Sequence, residues 1–497
     1  MLFQLLAERA SQYPDKVAII GENRRLTYRK LYEEATNTAS YLQSLALAAG
    51  RPVILGMPPS PELHSSMFGV SALGVPSITV LPTGKLSATV VEAQPAVAIG
   101  DAAFLAVAFE RCPSLRHLIV WRRESGLDIP KMGKPFSRPN LFRDENIFAV
   151  SSSGTTGEPK LYFRSAEMVV ERSGLRAEAH GIAPEDVLFA ARPYNNSVAI
   201  NNQVVIPVLT GSSIVVHENF ERFKIARAIE AHRVTVLLAA PFFYETLASI
   251  PRSQIFDFSS VRLCVAGGAP LAPQVAQAFE ERFGLAIHQW YAGSHIHPVF
   301  LFNAEGPPAS VGHMNGTFPA RILGDNEKSL AAGTIGEIAF PLAEMPEKWR
   351  RSLANNPNRR GEYLYSGDLG RADNAGYIYV VGRKSAIIKV GGNRVEPAEV
   401  EDVLRRHPQV REALVFGSAT GNADQIVEAA VEASSELQEA ELLRHCAQHL
   451  DAYKCPRRIT IKERLPRNEQ GKISRRMFES LIWIAPLVIP EMAWFGA

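Results

Sequence analysis

The stretch SSSGTTGEPK, Ser151–Lys160, sets three serines, two threonines, two glycines, a proline and a lysine in ten residues. It follows ENIFAV, a short apolar run that reads as a strand. Glycines let a backbone approach a ligand, hydroxyls and N–H groups donate to its oxygens, and a lysine adds a fixed cation. Together these suit a polyphosphate. The spacing, G-x-x-G-x-P-K, is not that of the kinase-type P-loop, because Pro159 stands directly before Lys160. The same composition also suits a plain surface turn.

Other stretches place reactive or ligand-friendly residues at the ends of apolar runs. VAGGAPL (Val265–Leu271) sets Gly267 and Gly268 directly after one, where open α/β sheets bind ligands and a flat ring can lie on bare backbone. QWYAGSH (Gln289–His295) repeats the arrangement, with Tyr291 as a stacking partner. YSGDLG puts Asp368 between glycines, where a carboxylate can accept both hydroxyls of a ribose. GRKSAIIKVGGNRVEPAEVE supplies a second cation, Arg383, and a Gly391–Gly392 loop; PRNEQGKISRR carries Lys472 in a polar turn. Singly, each has a plainer reading: strand-end turns for the glycine pairs, an Asx-turn for Asp368, a solvated cation for Lys472.

These residues need a scaffold, and the chain has length for one. At 497 residues it exceeds a single typical core, so two or more domains are expected. Short β-branched runs (PVILGM, PSITVL, SSIVVH, VTVLLAA, VRLCVAGG) alternate with helical patterns (SAEMVVERSGLRAEAHG, RFKIARAIEAHR, PQVAQAFEERFG). That alternation predicts layered α/β structure with parallel sheet. From about Gly333 the pattern changes to closely spaced strands with Gly turns, as in a small barrel or antiparallel sheet. After GRKSA a compact α+β unit follows, its first helix opened by Pro397. The boundary is expected at Arg383–Ser385.

A net charge of +2 makes no case for nucleic acid as a partner. Cys112, Cys264, Cys446 and Cys455 are scattered without a C-x-x-C pair, which fits a reducing cytoplasm better than a zinc site or disulfide framework. The start, MLFQLLAERASQYPDK, reads as an amphipathic helix, not a signal peptide. The apolar end, LIWIAPLVIPEMAWFGA, contains Pro486, Pro490 and Glu491 and falls short of the roughly 20 residues a span needs. It is expected to pack or lie at an interface.

Taken in order, SSSGTTGEPK, AGGAPL, YAGS, YSGDLGRADNAGYIYVVGRKSAIIKVGGNRVEPAEVE and PRNEQGKISRR resemble the adenylate-forming superfamily. That group holds acyl- and aryl-CoA synthetases, firefly luciferases and the adenylation domains of nonribosomal peptide synthetases. The resemblance runs from about Leu26 to about Met477. It implies an α/β fold: a large N-terminal domain (1–383) of layered α/β subdomains plus a small β-barrel, a small mobile α+β C-terminal domain (384–480), and an apolar tail (481–497). It implies a two-step reaction. A carboxylate attacks the α-phosphate of ATP, giving an acyl-adenylate and pyrophosphate; a thiol, from coenzyme A or the phosphopantetheine of a carrier protein, then displaces AMP.

Residue roles follow from the same resemblance. Ser152, Ser153, Gly154, Thr155, Thr156 and Lys160 belong to the loop over the β- and γ-phosphates, with Thr156 near Mg²⁺. Gly267, Gly268, Ala269, Pro270 and Tyr291 flank adenine and the acyl pocket. Asp368 holds the ribose with Arg383 nearby, and Ser294 donates a hydroxyl to the α-phosphate. Lys472 bridges carboxylate and α-phosphate as the catalytic cation. The thiol cannot enter while Lys472 fills the site, so the C-terminal domain rotates between steps about a hinge at Lys384 and Ser385. Many relatives carry Asp or Lys at the position of Ser385.

The chain departs from the pattern at YAGSH, where relatives commonly read Y-G-x-T-E. His295 stands where a Glu usually helps bind Mg²⁺, and imidazole is a poor ligand for that hard cation. No acid occurs from Ala190 to Val216, where amino-acid-activating relatives carry an Asp for the substrate ammonium. An uncharged acyl or aryl acid is therefore expected, with Tyr194, Asn195, Asn196 and Ser197 as pocket residues that can bond a ring hydroxyl. Tyr453–Arg476 holds nine Lys/Arg against two Glu, a face suited to the coenzyme A 3′-phosphate, to an acidic carrier-protein helix, or to nothing but water. Two alternatives stand beside this reading: an amino-acid-activating enzyme, and a degenerate nucleotide-binding member without turnover, which His295 favours and Lys160, Asp368 and Lys472 oppose.

Overall fold

The structure is a computed structural model that describes residues 1–45, 51–80, 86–130, 132, 147–151, 161–218, 220–269, 271–293, 296, 299–303, 306–390, 393–419, 425–434, 436–467, 473 and 478. The chain divides into two compact units. The larger runs to Val380, apart from Gly367–Gly370, which belongs with the smaller; the smaller continues from Val381.

The larger unit is built on two mixed sheets. In the first, strands run in the order Gly126–Leu127, His117–Arg122, Val97–Gly100, Val53–Gly56, Ser77–Thr79, Phe148–Ser151, Leu161–Arg164. The five inner strands are parallel and both edges antiparallel. The second has eight strands: Phe300–Phe302, Ile287–Ala292, Leu263–Gly267, Val236–Ala239, Val187–Phe189, Ser213–Val215, Val17–Ile20 and Arg25–Thr27. It too is parallel inside and antiparallel at its edges. The alternating apolar runs specify this, since a strand covered on both faces must be apolar on both.

One core joins the two sheets through the helix Pro61–Ala72, which is buried at all twelve positions. Its start is fixed by Ser60, whose hydroxyl accepts from Leu63 N at 3.1 Å, and by Pro61 in the first turn. The Gly-rich region after Phe302 forms one six-stranded sheet with its own core around Phe318, Ile338, Phe340 and Ile378.

The smaller unit pairs Val410–Ala419 antiparallel with Gln425–Ala433, which pairs parallel with Arg458–Lys462. The helices Pro397–Arg405 and Glu439–His449 cover this sheet through Val400, Leu404, Leu442 and Cys446. All four cysteines are free thiols. Among the described residues no helix is long and apolar enough to cross a membrane.

Candidate functional site

Three parallel strands of the eight-stranded sheet end together at Ala239, Gly267 and Ala292. The carboxyl edge of such a sheet is where its ligands bind. Two glycines shape this edge. A Cβ on Gly267 would sit 2.1 Å from Trp290 Nε1, so only a bare backbone fits against the indole. Gly268 has φ +84°, a left-handed conformation that costs a glycine nothing, and it is exposed. Arg192 fixes the edge from beneath: its Nη2 donates to Ala239 O at 2.7 Å and to Gly267 O. Ala269 and Tyr291 are half-buried beside it.

The helix Ala166–Ala179 packs against this edge through Arg176. It begins at Ser165, whose hydroxyl accepts from Met168 N at 3.2 Å. Arg176 from this helix lies over the Trp290 ring, 4.3 Å from its centroid, and donates to Asn202 Oδ1 at 3.0 Å. Asn202 belongs to a π-helical turn, Ile200–Val205. Pro207 accounts for that widening: it has no N–H to donate and its ring crowds the carbonyl of Gln203. The freed Gln203 O lies 3.1 Å from His64 Nε2.

The expected pocket residues Tyr194–Ser197 enter this turn. Tyr194 is buried with its hydroxyl 3.2 Å from His64 Nε2, and burial raises its pKa, so it stays a phenol. Asn196 caps the turn, its Oδ1 accepting from Ala199 N at 3.0 Å and its Nδ2 donating to Pro193 O at 3.0 Å. Asn195 is buried. Ser197 carries the amide of Asn201, which donates to its carbonyl at 2.7 Å.

In the smaller unit Asp368 is buried and Arg383 Nε contacts its Oδ1 at 2.9 Å, so the two residues singled out for the ribose are an ion pair. Gly367 before it has φ +70° inside the strand Tyr363–Ala372, a local irregularity that a side chain would strain. Lys384 and Ser385 lie in a single 3₁₀ turn, Lys384–Ala386, between the strands Tyr377–Arg383 and Ile388–Val390. Ser152, Ser153, Gly154, Thr155, Thr156, Lys160, Pro270, Ser294, His295 and Lys472 lie outside the described residues.

Arg172, Arg176, Arg192 and Trp290 are buried residues at or next to this edge that the sequence motifs do not single out. The one available signal is spacing: Arg172 and Arg176 are four apart on an expected helix, hence on one face.

The sequence matches the model of the AMP-binding enzyme family over residues 6–341 and that of the AMP-binding enzyme C-terminal domain over 399–472. Among similar curated proteins, a sulfoacetate–CoA ligase of Cupriavidus necator is 26% identical, covering 95% of this chain and 96% of the relative. An indoleacetate–CoA ligase of Aromatoleum aromaticum is 25% identical over 97% and 98%. Of solved structures, an anthranilate CoA ligase in complex with anthranoyl-AMP superposes with a TM-score of 0.80 at 24% identity, covering 97% of this chain and 96% of the other. Since the first family model alone spans well over half of its length, the chain belongs to the AMP-binding enzyme family and is an adenylate-forming acid–thiol ligase.

Proposed function

We propose that this ligase activates a carboxylic acid with ATP and passes the acyl group to coenzyme A. The observation that carries this reading is the strand end at Gly267–Gly268, where Trp290 covers the buried Gly267 and the next residue, Gly268, leaves exposed backbone on which a planar base can lie. Asp368, oriented by Arg383, accepts the ribose hydroxyls. The hydroxyls of Ser152, Ser153, Thr155 and Thr156, with Lys160, hold the outer phosphates, and Ser294 donates to the α-phosphate. Lys472 sits between the attacking carboxylate and the α-phosphate, offsetting the repulsion of two anions and fixing the line of attack.

Magnesium, when bound with ATP, neutralises phosphate charge. Among the described residues no group of three or more His, Cys, Asp or Glu is placed to hold a metal ion. The resemblance puts Thr156 near it and His295, a poor ligand for it, where a Glu usually stands, and a metal carried chiefly by the phosphates fits that sparse donor set.

In the second half-reaction the thiolate attacks the acyl carbonyl and AMP leaves with the bonding electron pair. The relatives named above are CoA ligases for unlike acids, which supports coenzyme A as acceptor and leaves the acid open. The test is product analysis with ATP, an accepted acid and either coenzyme A or a phosphopantetheinylated carrier protein. Acyl-CoA and AMP are expected in equal amounts. Transfer to the carrier protein alone would overturn the coenzyme A assignment.

A further inference from the structure

Three guanidinium groups are enclosed in the larger unit: Arg192 and Arg176 beside the Gly267 edge, and Arg172 one helical turn from Arg176. Arg176 is 1% exposed, Arg172 4% and Arg192 7%. Arg192 spreads its charge onto two carbonyls, and Arg176 onto Asn202 and the Trp290 face. Yet Nε and Nη2 of Arg176, and Nε of Arg172 and Arg192, are buried with no hydrogen-bond partner. No ion pair to any of the three occurs among the described residues, although Arg262 close by is paired with Asp186 at 2.6 Å.

Their electrostatics agree. Burial, then the neighbouring cations, pushes Arg176 well down; burial brings Arg172 and Arg192 to about 10, so both stay charged at neutral pH. His180, at the end of the same helix, is lowered to about 3 by burial, Arg176 and Arg262, and adds no charge.

Buried donors are nearly always bonded and buried charges nearly always paired. A set of like charges left without a counter-ion costs stability, and functional sites are where proteins keep such costs. The missing partner is an anion that arrives with a ligand. The phosphates of ATP are the poorer candidate, because the hydroxyl loop with Lys160 and Lys472 is assigned to them. Arg176 and Arg192 instead reach the strand edge whose residues flank both adenine and the acyl pocket, and Arg176 also bonds Asn202 in the turn that follows the expected pocket residues Tyr194–Ser197.

We propose that the acid taken by this ligase carries a second anionic group, a carboxylate or sulfonate, received by the guanidinium of Arg176 with Arg172 beside it. The proposal rests on the ligase reading. It replaces the sequence expectation of an uncharged acid, which rests on the lack of an acidic partner in one segment and gives no weight to buried cations. A guanidinium fork meets two oxygens of either group in its own plane, which is the geometry that favours arginine over lysine.

The test compares malonate, succinate and sulfoacetate with propanoate and butanoate. Acid-dependent exchange of pyrophosphate into ATP and the shift in melting temperature are both measured on the full chain. The dianions should show kcat/KM about 10²-fold higher, the scale of one or two charged hydrogen bonds. Arg176→Met should remove that advantage and raise activity with butanoate. A preference for propanoate or butanoate in the wild type overturns the proposal and leaves the ligase reading standing. So does an Arg176→Met variant that loses both acid classes equally. If no acid supports exchange, the melting temperature decides. Stabilisation by malonate or sulfoacetate but not butanoate keeps the anion site while the ligase reading fails; no shift with any dianion overturns the site as well. Should Arg176→Met not fold, the wild-type panel alone decides between these outcomes.

Discussion

Replacing Lys472 with Ala should lower acyl-adenylate formation by about 10²–10³-fold, the usual cost of one preorganised charge at a reacting centre. Thioester formation from a supplied acyl-adenylate should stay within a few-fold of the parent. The asymmetry is the point. In the first step two anions must meet, and on the proposed reading the ammonium group of Lys472 is the cation between them. In the second step the electrophile is already made, and a lysine lodged at the carboxylate would only obstruct the thiol. If the C-terminal residues swing away between steps, as proposed, Lys472 is needed once. Measuring the two half-reactions separately, with melting temperature as a control for folding, checks this. An equal loss in both steps, with the fold intact, would mean that Lys472 serves binding in general and that the domain alternation loses its support.

Substituting Asp368 with Asn should raise KM for ATP by about 10²-fold, since the two charge-assisted hydrogen bonds proposed to the ribose would be lost or weakened. Asn keeps the shape, and Arg383, which contacts Asp368 Oδ1 at 2.9 Å, is half of an ion pair that the change also breaks. Loss of that pair alone would disturb the strand locally, so KM by itself is ambiguous. The discriminating measurement uses 2′-deoxy-ATP. In the parent, removing the ribose 2′-hydroxyl should weaken binding about tenfold; in Asp368→Asn the same removal should cost little, because the partner is already compromised. An undiminished penalty in the variant would show that Asp368 does not bond the ribose and is a structural ion-pair member.

Much of the scaffold is legible because hydrophobic period is strong where burial is complete. The strand Leu263–Gly267 reads directly from VRLCVAGG, and the helix Ala166–Ala179 from its apolar repeat and its Ser165 cap. The family resemblance puts Asp368 and Arg383 near the same ribose, but their ion pair comes from the fold alone, since the sequence separation carries no geometric meaning. Tyr194–Ser197 read as a pocket loop for their side chains alone; in the structure Asn196 spends both ends of its amide on the turn it caps. The π-helical turn Ile200–Val205 has no sequence period of its own and arises from Pro207 one residue into the next turn. The buried arginines are hidden by a sound general rule: arginine is mostly exposed. Only the fold brings Arg176 and Arg192 to the same strand edge, with Arg172 beside Arg176.

Adenylation itself is the step on which every residue role above depends. Purified protein should exchange labelled pyrophosphate into ATP only when a carboxylic acid is present, without coenzyme A, and a panel of acyl, aryl, dianionic and amino acids should yield at least one strong substrate. Leu or Phe as the best substrate would contradict the exclusion of an ammonium ligand from the pocket. The absence of exchange with every acid, from protein that is folded and binds ATP, would contradict the central claim and leave a nucleotide-binding member of the fold without turnover.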